Sequence, residues 1–369
     1  MKLSLSWIKD FVNIPEDMDM KQLAYDLTMD TVEVEDVEYL ADRFDHMVVG
    51  VIEDIEPHPN ADKLRVCKVD IGDGEIKDIV CGGINLEKGM RVAVSCPGAI
   101  VRWHGEGEPV EIKKSKLRGV ASYGMICASD EIGLGDLFPA SQEAEILDLS
   151  AFDVPAGTTL ADALDLNDVL LEIDNKSMTN RPDLWGHYGI AREIAALYNL
   201  PLAEIKPFET DVQSDFNVEI DDPDRCPRYI GVEMSGVNVK EAPYQMQNRI
   251  WKVGMRPINA LVDITNYVML ATGNPTHAFD ADNISDHIVV RHAAENEKLL
   301  LLNDKELSLC TDDLVITDSE GPVALAGVMG GAKDSILPKT ERVILEVANF
   351  EAAGIRRTAL RYDNRTEAS

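Results

Sequence analysis

Apolar residues recur at helical spacing near the start of the chain. A second helical pattern spans residues 23–29, and residues 31–40 then alternate apolar and acidic side chains, which predicts a strand with one face in water. The first 40 residues are therefore predicted to form two helices followed by a strand. The apolar face of the first helix comprises Trp7, Ile8, Phe11 and Val12.

A β-rich stretch follows over residues 41–150. Turn residues, mostly glycine, proline and asparagine, separate apolar runs at regular intervals, and such spacing is typical of a small barrel or sandwich. The predicted strands are residues 46–58, 63–72, 76–83 and 90–101.

The pattern becomes helical again between residues 154 and 200. A helix is predicted from about Gly186, and Pro201 ends it. Its apolar face comprises Ile190, Ile194 and Leu197.

Residues 215–369 combine both periodicities, which predicts an α+β domain. One helix is predicted between Pro243 and Val253, and a second has Asn259 as its N-cap and ends at Gly273. The strand-like runs are residues 286–293, 297–304, 313–318, 322–329 and 341–350.

Composition limits the classes of protein that these elements can build. The chain has 369 residues, 45% hydrophobic and 27% charged, which suits two or three soluble domains. Its net charge of −31 argues against a nonspecific nucleic-acid binder, unless basic residues gather locally or another subunit supplies a basic surface. No apolar run approaches the roughly 20 residues of a membrane helix, and no secretory signal opens the chain. A cytoplasmic protein that binds neither membrane nor DNA is expected.

The six cysteines are scattered singly along the chain and form no CxxC pair. The histidines do not cluster with them. We therefore expect reduced, mostly buried thiols, and neither a disulfide framework nor a metal site.

Two blocks of the β-rich stretch, residues 58–70 and 115–134, resemble the tRNA-binding barrel shared by several aminoacyl-tRNA synthetases. The resemblance implies an oligonucleotide-binding (OB) fold. A basic patch in this stretch could contact tRNA phosphates, or it could be a solvated strand end on a purely structural module. The patch comprises Lys113, Lys114, Lys116 and Arg118.

Further blocks extend a resemblance over the whole chain. Residues 1–12 and 179–193 look like two pieces of one domain interrupted by the barrel, and six more blocks follow in family order. The chain thereby resembles the N-terminal portion of bacterial phenylalanyl-tRNA synthetase β subunits, although Asp30 and Thr179 depart from the family at turn positions. The six blocks are RYIGVEMSGV, RIWKVGMRPINALVDITNYVML, NPTHAFD, AGVMGG, VILEVANF and IRRTALRYDNRTEAS.

The resemblance implies a multidomain α+β protein. An OB-fold barrel (residues 41–150) is inserted in a small α/β N-terminal domain (residues 1–40 and 151–200). A mixed α+β editing module occupies residues 210–369 and is expected to be truncated at its C-terminal end, because the family continues beyond RTEAS. The partners implied are tRNA and the synthetase α subunit, in an α2β2 heterotetramer. ATP and Mg²⁺ belong to the whole synthetase, and no cofactor is expected in this portion.

The editing module of the family hydrolyses tyrosine wrongly attached to phenylalanine tRNA. By the resemblance, Glu346 recognises the tyrosine hydroxyl and His277 orients the ester, while Gly330 permits close approach of backbone N–H groups. Strand geometry places Ile344, Glu346 and Ala348 on one face. The remaining site residues implied by the resemblance are the catalytic Thr265 and Asn266, and the substrate-binding Thr366 and Ala368.

Structural readings of the same residues stay open at this point. Glu346 could be an exposed strand glutamate, and His277 could be a loop histidine that caps a backbone carbonyl. The chain could then be a non-catalytic tRNA-binding or assembly module. A free-standing editing factor is a third alternative, which the split N-terminal domain disfavours.

Overall fold

The chain begins with a short strand and two helices, and the computed structural model describes residues 1–208, 216–333 and 335–366. The helix predicted over residues 7–12 ends after one turn, because Phe11 accepts a hydrogen bond from the Ala203 N–H and Val12 bridges Leu202. The second helix buries its leucines but exposes Tyr25 and Met29. These elements are β1 (Lys2–Ser4), α1 (Leu5–Ile8), α2 (Met20–Asp30) and β2 (Val34–Tyr39).

Nine strands follow, and five of them form a nearly closed barrel. The barrel order is β11-β6-β3-β4-β5, and the two edge strands approach each other. All four predicted strand runs are confirmed. A Cβ on Gly50 would lie 2.6 Å from Val94 and 2.7 Å from Val69, so only glycine lets these strands pack so closely. The strands are β3 (Met47–Pro57), β4 (Arg65–Asp70), β5 (Ile76–Cys81), β6 (Arg91–Ser95), β7 (Ile100–Val101), β8 (Val110–Glu111), β9 (Ser115–Leu117), β10 (Val120–Ser122) and β11 (Met125–Ile126).

The chain then returns to the sheet that it began. It continues through α3 (Leu160–Ala163), β12 (Val169–Ile173) and α4 (His187–Tyr198). Strand β12 pairs antiparallel with both β1 and β2, so segments on either side of the barrel share one three-stranded sheet. The helix predicted from Gly186 is α4, and Asn199 ends it in the left-handed conformation.

The last stretch builds two further sheets over one apolar core. A five-stranded sheet, β13-β16-β19-β20-β21, faces a three-stranded sheet, β14-β22-β15. Helix α7 follows the last strand, and the sequence patterns did not predict it. The elements are β13 (Val218–Ile220), β14 (Arg228–Ser235), α5 (Tyr244–Lys252), α6 (Ala260–Thr272), β15 (Thr276–Asp280), β16 (Ile288–His292), β17 (Lys298–Leu300), β18 (Glu306–Ser308), β19 (Leu314–Thr317), β20 (Pro322–Leu325), β21 (Met329–Gly330), β22 (Arg342–Asn349) and α7 (Ala352–Arg361).

Both predicted helices of this stretch are confirmed as α5 and α6, and they pack against the N-terminal elements, α5 against β1 and α6 against α4. The ring of Trp7 is stacked between His187 and Tyr267, with ring centroids 4.1 Å and 4.4 Å away. The His187 Nδ1 donates to the carbonyl of Leu270 (2.7 Å), because its Nε2 accepts from the Ser4 N–H (3.0 Å). These contacts hold α6 in position relative to α1 and α4.

A buried ion pair joins α5 to the same region. The Lys252 Nζ lies 3.3 Å from the Asp168 carboxylate, and the two side chains are only 2% and 1% exposed. Asp168 also accepts hydrogen bonds from the hydroxyls of Ser4 and Ser6. Because a buried charge without a partner is strongly destabilising, this network keeps α5 against β12.

All six cysteines are unpaired, and four of them are buried, which agrees with the predicted burial of most of these side chains. Within residues 1–208, 216–333 and 335–366, no three His, Cys, Asp or Glu side chains are grouped so that they could hold a metal ion. Across those residues, no helix has the length and apolar character needed to cross a membrane.

Candidate functional site

Glu346 lies in the middle strand of the three-stranded sheet. In the register of the sheet it stands opposite Gly231 on β14 and opposite His277 on β15. Its side chain is only 7% exposed and lies on the same face as the core residues Ile344 and Ala348, as strand alternation predicted. Burial raises the pKa of the Glu346 carboxyl to about 8. The carboxyl therefore remains largely protonated near neutral pH.

His277 lies on a strand, which rules out the alternative of a loop histidine. Strand pairing begins at Thr276, directly after Pro275, and carries the imidazole to the position beside Glu346. The ring is half-buried and meets Phe279 edge-on, with 4.6 Å between the ring centroids. It forms no hydrogen bond with any described residue, so it does not cap a carbonyl. Burial lowers the pKa of His277 to about 4, and the ring is neutral at physiological pH.

Gly330 on β21 lies against the ring of His277. A Cβ at this position would be 2.6 Å from the imidazole Cε1 and 2.7 Å from Nε2, closer than such atoms approach. Leu302 bounds the same space, since its Cδ1 would be 3.2 Å from that Cβ and its N–H donates to the Gly330 carbonyl. The glycine is thus required by the close packing of two sheets around the imidazole.

Two further predicted residues lie on α6, which packs along β15. Thr265 is buried, and its hydroxyl donates to the Val262 carbonyl at 2.7 Å, so the hydroxyl is already paired within the helix. The Thr276 hydroxyl donates to the Thr265 carbonyl (3.3 Å), which joins α6 to the residue preceding His277. Asn266 is half-buried, and its amide forms no hydrogen bond with a described residue.

Of the two predicted site residues near the C-terminus, Thr366 and Ala368, the structure describes only Thr366. The Thr366 hydroxyl donates to the Val328 carbonyl at 3.0 Å, which ties Thr366 to a residue two positions before Gly330. Ala368 lies outside the described residues. The structure therefore brings His277, Glu346 and Gly330 together, with Thr265 and Thr366 tied to the adjoining segments.

Two neighbours of Glu346 were missed from the sequence. Gly231 and Tyr229 lie on β14, on the face that carries Glu346, and the Tyr229 side chain is buried. The alternation in RYIGVEMS places both residues on one face of a strand. The missing information was the register between β14 and β22, since these strands are more than 100 residues apart.

The predicted basic patch lies on and beside the β9–β10 hairpin of the barrel. Residues 113–119 are all exposed, and Arg118 takes a left-handed backbone conformation at the turn. Two hydrogen bonds fix the backbone of the hairpin. The Asn60 amide donates to the Arg118 carbonyl (3.0 Å), and the His58 ring bonds to the Leu117 carbonyl (3.1 Å). These contacts fix the backbone while the side chains point into solvent.

The four cations of the patch differ in their surroundings. Lys113 is paired with Glu111 at 3.1 Å, and the Lys114 Nζ lies 5.0 Å from the centre of the Tyr123 ring. Lys116 and Arg118 form no ion pair with a described residue. They are therefore the cations of the patch most available to a phosphate. Lys77 and Lys114 lie over the Tyr123 ring, so this ring is a poor platform for stacking a base.

Comparisons with known proteins cover both parts of the chain. The B3/4 domain family matches residues 225–369, and the putative tRNA binding domain family matches residues 47–158. The phenylalanine–tRNA ligase beta subunit of Oceanobacillus iheyensis is 40% identical over 376 residues, covering 100% of this chain and 45% of that protein. The corresponding subunit of Pectobacterium atrosepticum is 40% identical over 373 residues, with coverage of 100% and 45%.

A solved structure shows a weaker likeness. An N-terminal fragment of the phenylalanyl-tRNA synthetase beta subunit from Pyrococcus horikoshii is 20% identical, with a TM-score of 0.31 over 53% of this chain and 61% of that one. The chain spans just under half the length of the curated relatives that it matches.

Proposed function

The chain belongs to the family of phenylalanine–tRNA ligase beta subunits and matches their N-terminal portion, and on this premise we propose that it edits mischarged tRNA. It binds phenylalanine tRNA and hydrolyses tyrosine wrongly esterified to it. Its domains are residues 1–40 with 151–200, an OB-fold barrel over 41–150 and an editing module over 210–369. The α subunit (in an α2β2 enzyme), ATP, Mg²⁺ and a cytoplasmic setting belong to the whole synthetase.

An enzyme that selects phenylalanine has a physical need for such a second site. Tyrosine is phenylalanine with one added hydroxyl, and an apolar pocket rejects an added hydroxyl only weakly. A separate site with a buried hydrogen-bonding group can do the reverse. It accepts tyrosine and refuses phenylalanine, because phenylalanine would leave the buried group unpaired at a cost of about 1–3 kcal/mol.

The buried carboxyl of Glu346 is the observation that carries the proposal. Desolvating a carboxyl group is unfavourable unless the group is hydrogen-bonded, and such groups cluster at functional sites. Glu346 lies in the middle of a sheet, beside the half-buried, neutral His277, and Gly330 lies against the ring of that histidine with no room for a side chain. In this position its oxygens can accept the hydrogen of a tyrosine hydroxyl.

The neighbouring residues then have distinct roles. His277 is neutral and its ring nitrogens are without a hydrogen-bonding partner among the described residues, so it can bond to the ester or to the attacking water. Asn266 holds a water molecule or the terminal ribose through its unpaired amide. Thr265 positions the helix, because its hydroxyl is already donated to Val262. Thr366 and Ala368 bind the substrate.

Hydrolysis proceeds by attack of a bound water on the aminoacyl ester. The residues position the water and the ester, and positioning alone lowers the barrier substantially. Backbone N–H groups near Gly330 stabilise the oxyanion that develops on the ester carbonyl. The terminal hydroxyls of the tRNA assist the proton transfers, since His277 is a weak base with a pKa of about 4.

The exposed hairpin of the barrel binds the tRNA backbone. Lys116 and Arg118 supply unpaired positive charge, and His58 and Asn60 hold the protein backbone of their hairpin in place. This local patch answers the objection raised by the net charge of −31, because phosphate binding depends on local and not on total charge. Lys113 and Lys114 extend the patch.

A deacylation assay tests the proposal. The chain, alone and assembled with its α subunit, is mixed with phenylalanine tRNA that carries labelled tyrosine, and release of tyrosine is followed. Glu346→Ala and His277→Ala are each expected to slow hydrolysis about tenfold or more, the equivalent of one hydrogen bond. Glu219→Ala is the matched control, because Glu219 is an exposed strand glutamate in the same module.

The outcomes distinguish the function from the site. If the assembled enzyme releases no tyrosine, the editing function is wrong and the non-catalytic tRNA-binding module is favoured. If the wild type is active and neither substitution slows it, the function stands but the assigned site is wrong. Phenylalanyl-tRNA is expected to be hydrolysed about five- to 150-fold more slowly than tyrosyl-tRNA, as an unpaired buried group requires.

A further inference from the structure

Tyr229 is a buried residue with an unexplained polar group. It lies on β14, where its side chain is only 9% exposed, and its hydroxyl has no hydrogen-bond partner among the described residues. Folded proteins keep very few buried polar atoms unpaired, because each one destabilises the fold. A phenylalanine would fill the same volume without this cost. Packing alone therefore does not explain the presence of the Tyr229 hydroxyl.

The sheet register brings Tyr229 and Glu346 together. Tyr229 stands opposite Ala348, and Gly231 stands opposite Glu346, so Tyr229 and Glu346 are diagonal neighbours on one face. Aromatic side chains reach a diagonal neighbour across such a pair of strands. Gly231 has no side chain, so it places no atoms between the side chains of Tyr229 and Glu346.

Electrostatics agree with this geometry. After burial, the charge of Glu346 is the next cause that raises the pKa of Tyr229, and hydrogen bonding from the Tyr229 hydroxyl lowers the pKa of Glu346. The two groups therefore lie close enough to interact, although the hydroxyl makes no hydrogen bond of normal geometry. Phe279 and Ile344 belong to the same hydrophobic core as Tyr229. Their side chains offer the hydroxyl no hydrogen-bond acceptor.

We propose that Tyr229 is a second specificity-determining residue of the editing site, whose hydroxyl binds the phenol of the substrate tyrosine together with Glu346. This inference rests on the proposed function. A phenol both donates and accepts a hydrogen bond. Its hydrogen is donated to a carboxyl oxygen of Glu346, and its oxygen accepts from the Tyr229 hydroxyl. Bound phenylalanine would leave both protein groups unpaired, which strengthens the discrimination between the two amino acids.

The Tyr229→Phe substitution tests this role because it removes only the hydroxyl. Hydrolysis of tyrosyl- and phenylalanyl-tRNA is measured with the assembled enzyme, and thermal unfolding of the full chain is followed separately. We expect hydrolysis of the tyrosyl ester to fall about tenfold, the equivalent of one hydrogen bond, while hydrolysis of the phenylalanyl ester does not fall. The melting temperature should stay the same or rise, because an unpaired buried hydroxyl has been removed.

Tyr244→Phe is the matched control. Its hydroxyl donates to the Leu164 carbonyl at 2.8 Å, in a different part of the chain. This variant should lower the melting temperature and leave the ratio of tyrosyl to phenylalanyl hydrolysis unchanged. The different effects of the two Tyr→Phe substitutions on the melting temperature and on the hydrolysis ratio separate a binding hydroxyl from a structural one.

Four results would overturn the inference. An unchanged ratio of hydrolysis in an active Tyr229→Phe enzyme would show that the hydroxyl does not read the substrate. An equal loss for both esters would make Tyr229 a positioning residue for Glu346. A lowered melting temperature would show that the hydroxyl has a structural partner. If the wild-type enzyme itself hydrolyses no tyrosyl ester, the proposed function and this inference fail together.

Discussion

Replacing Glu346 with glutamine should stabilise the module increasingly as the pH rises. An unfolded glutamate has a pKa near 4.5, whereas burial raises the pKa of Glu346 in the fold to about 8. Between these two pH values the folded protein binds more protons at this position than the unfolded chain does. The free energy of unfolding of the wild type therefore falls as the pH rises through this window.

The expected size follows from the pKa difference. One pKa unit corresponds to about 1.36 kcal/mol, so a shift from 4.5 to about 8 corresponds to at most about 5 kcal/mol. Glutamine has nearly the shape of the protonated carboxyl and does not titrate. The variant should match the wild type closely near pH 4.5 and exceed its free energy of unfolding by up to about 5 kcal/mol above pH 8.

Hydrogen exchange of peptides from β22 measures this local stability. Wild type and variant are compared at the same pH, from pH 5 to 8.5, so that intrinsic exchange rates cancel. Glu219→Gln is the control, because this exposed strand glutamate should show no pH-dependent difference. A stability difference for Glu346→Gln that does not change with pH would refute the reasoning, since the folded protein would then hold Glu346 ionised.

The packing and the surface charge lead to three other predictions. Gly330→Ala should lower the rate of deacylation about a hundredfold without unfolding the chain, because the added Cβ would overlap the His277 ring and force it to move. The deacylation assay measures the rate, and circular dichroism measures the fold. Lys252→Met should destabilise the chain by about 3–5 kcal/mol in urea unfolding, because it leaves Asp168 buried without its cation. Replacing Lys116 and Arg118 by alanine should weaken tRNA binding and reduce its salt dependence, with the slope of log K against log salt falling by about 0.7–0.9 for each phosphate that the protein no longer neutralises.

Each of these predictions has a control or a contradicting result. Full activity of Gly330→Ala would mean that the His277 position does not matter for hydrolysis. Unchanged stability of Lys252→Met would mean that the hydroxyl bonds to Asp168 suffice. The control for tRNA binding is Lys298→Ala, which removes an exposed lysine near Glu306 in the other module. An equal loss of tRNA affinity in this control would show that the hairpin has no specific role in binding.

Local pattern was sufficient for most elements of the chain. The helices α4, α5 and α6 and four of the five barrel strands were predictable, because their apolar spacing, caps and turn residues are local properties; β11 was not predicted. The face on which Glu346 lies also followed from strand alternation. The one-turn helix α1 was overestimated, because a long-range pairing of Phe11 with Ala203 replaced its continuation.

The long motifs identified the family, yet they did not supply the site. Strand β22 lies between β14 and β15, and neither the approach of His277 to Glu346 nor that of Tyr229 can be read from spacing along the chain. Such contacts join residues about 70 to 120 positions apart, and only the packed sheet fixes their register.

Sequence alone thus determined the elements, the family and the residue types available for chemistry, because those depend on local periodicity and on recognisable motifs. The tertiary structure decided which of those residues meet and how they ionise. Burial in the packed core gives Glu346 and His277 their shifted pKa values and leaves the Tyr229 hydroxyl unpaired. Desolvation is a property of the surroundings of a residue in space, and no stretch of sequence contains those surroundings.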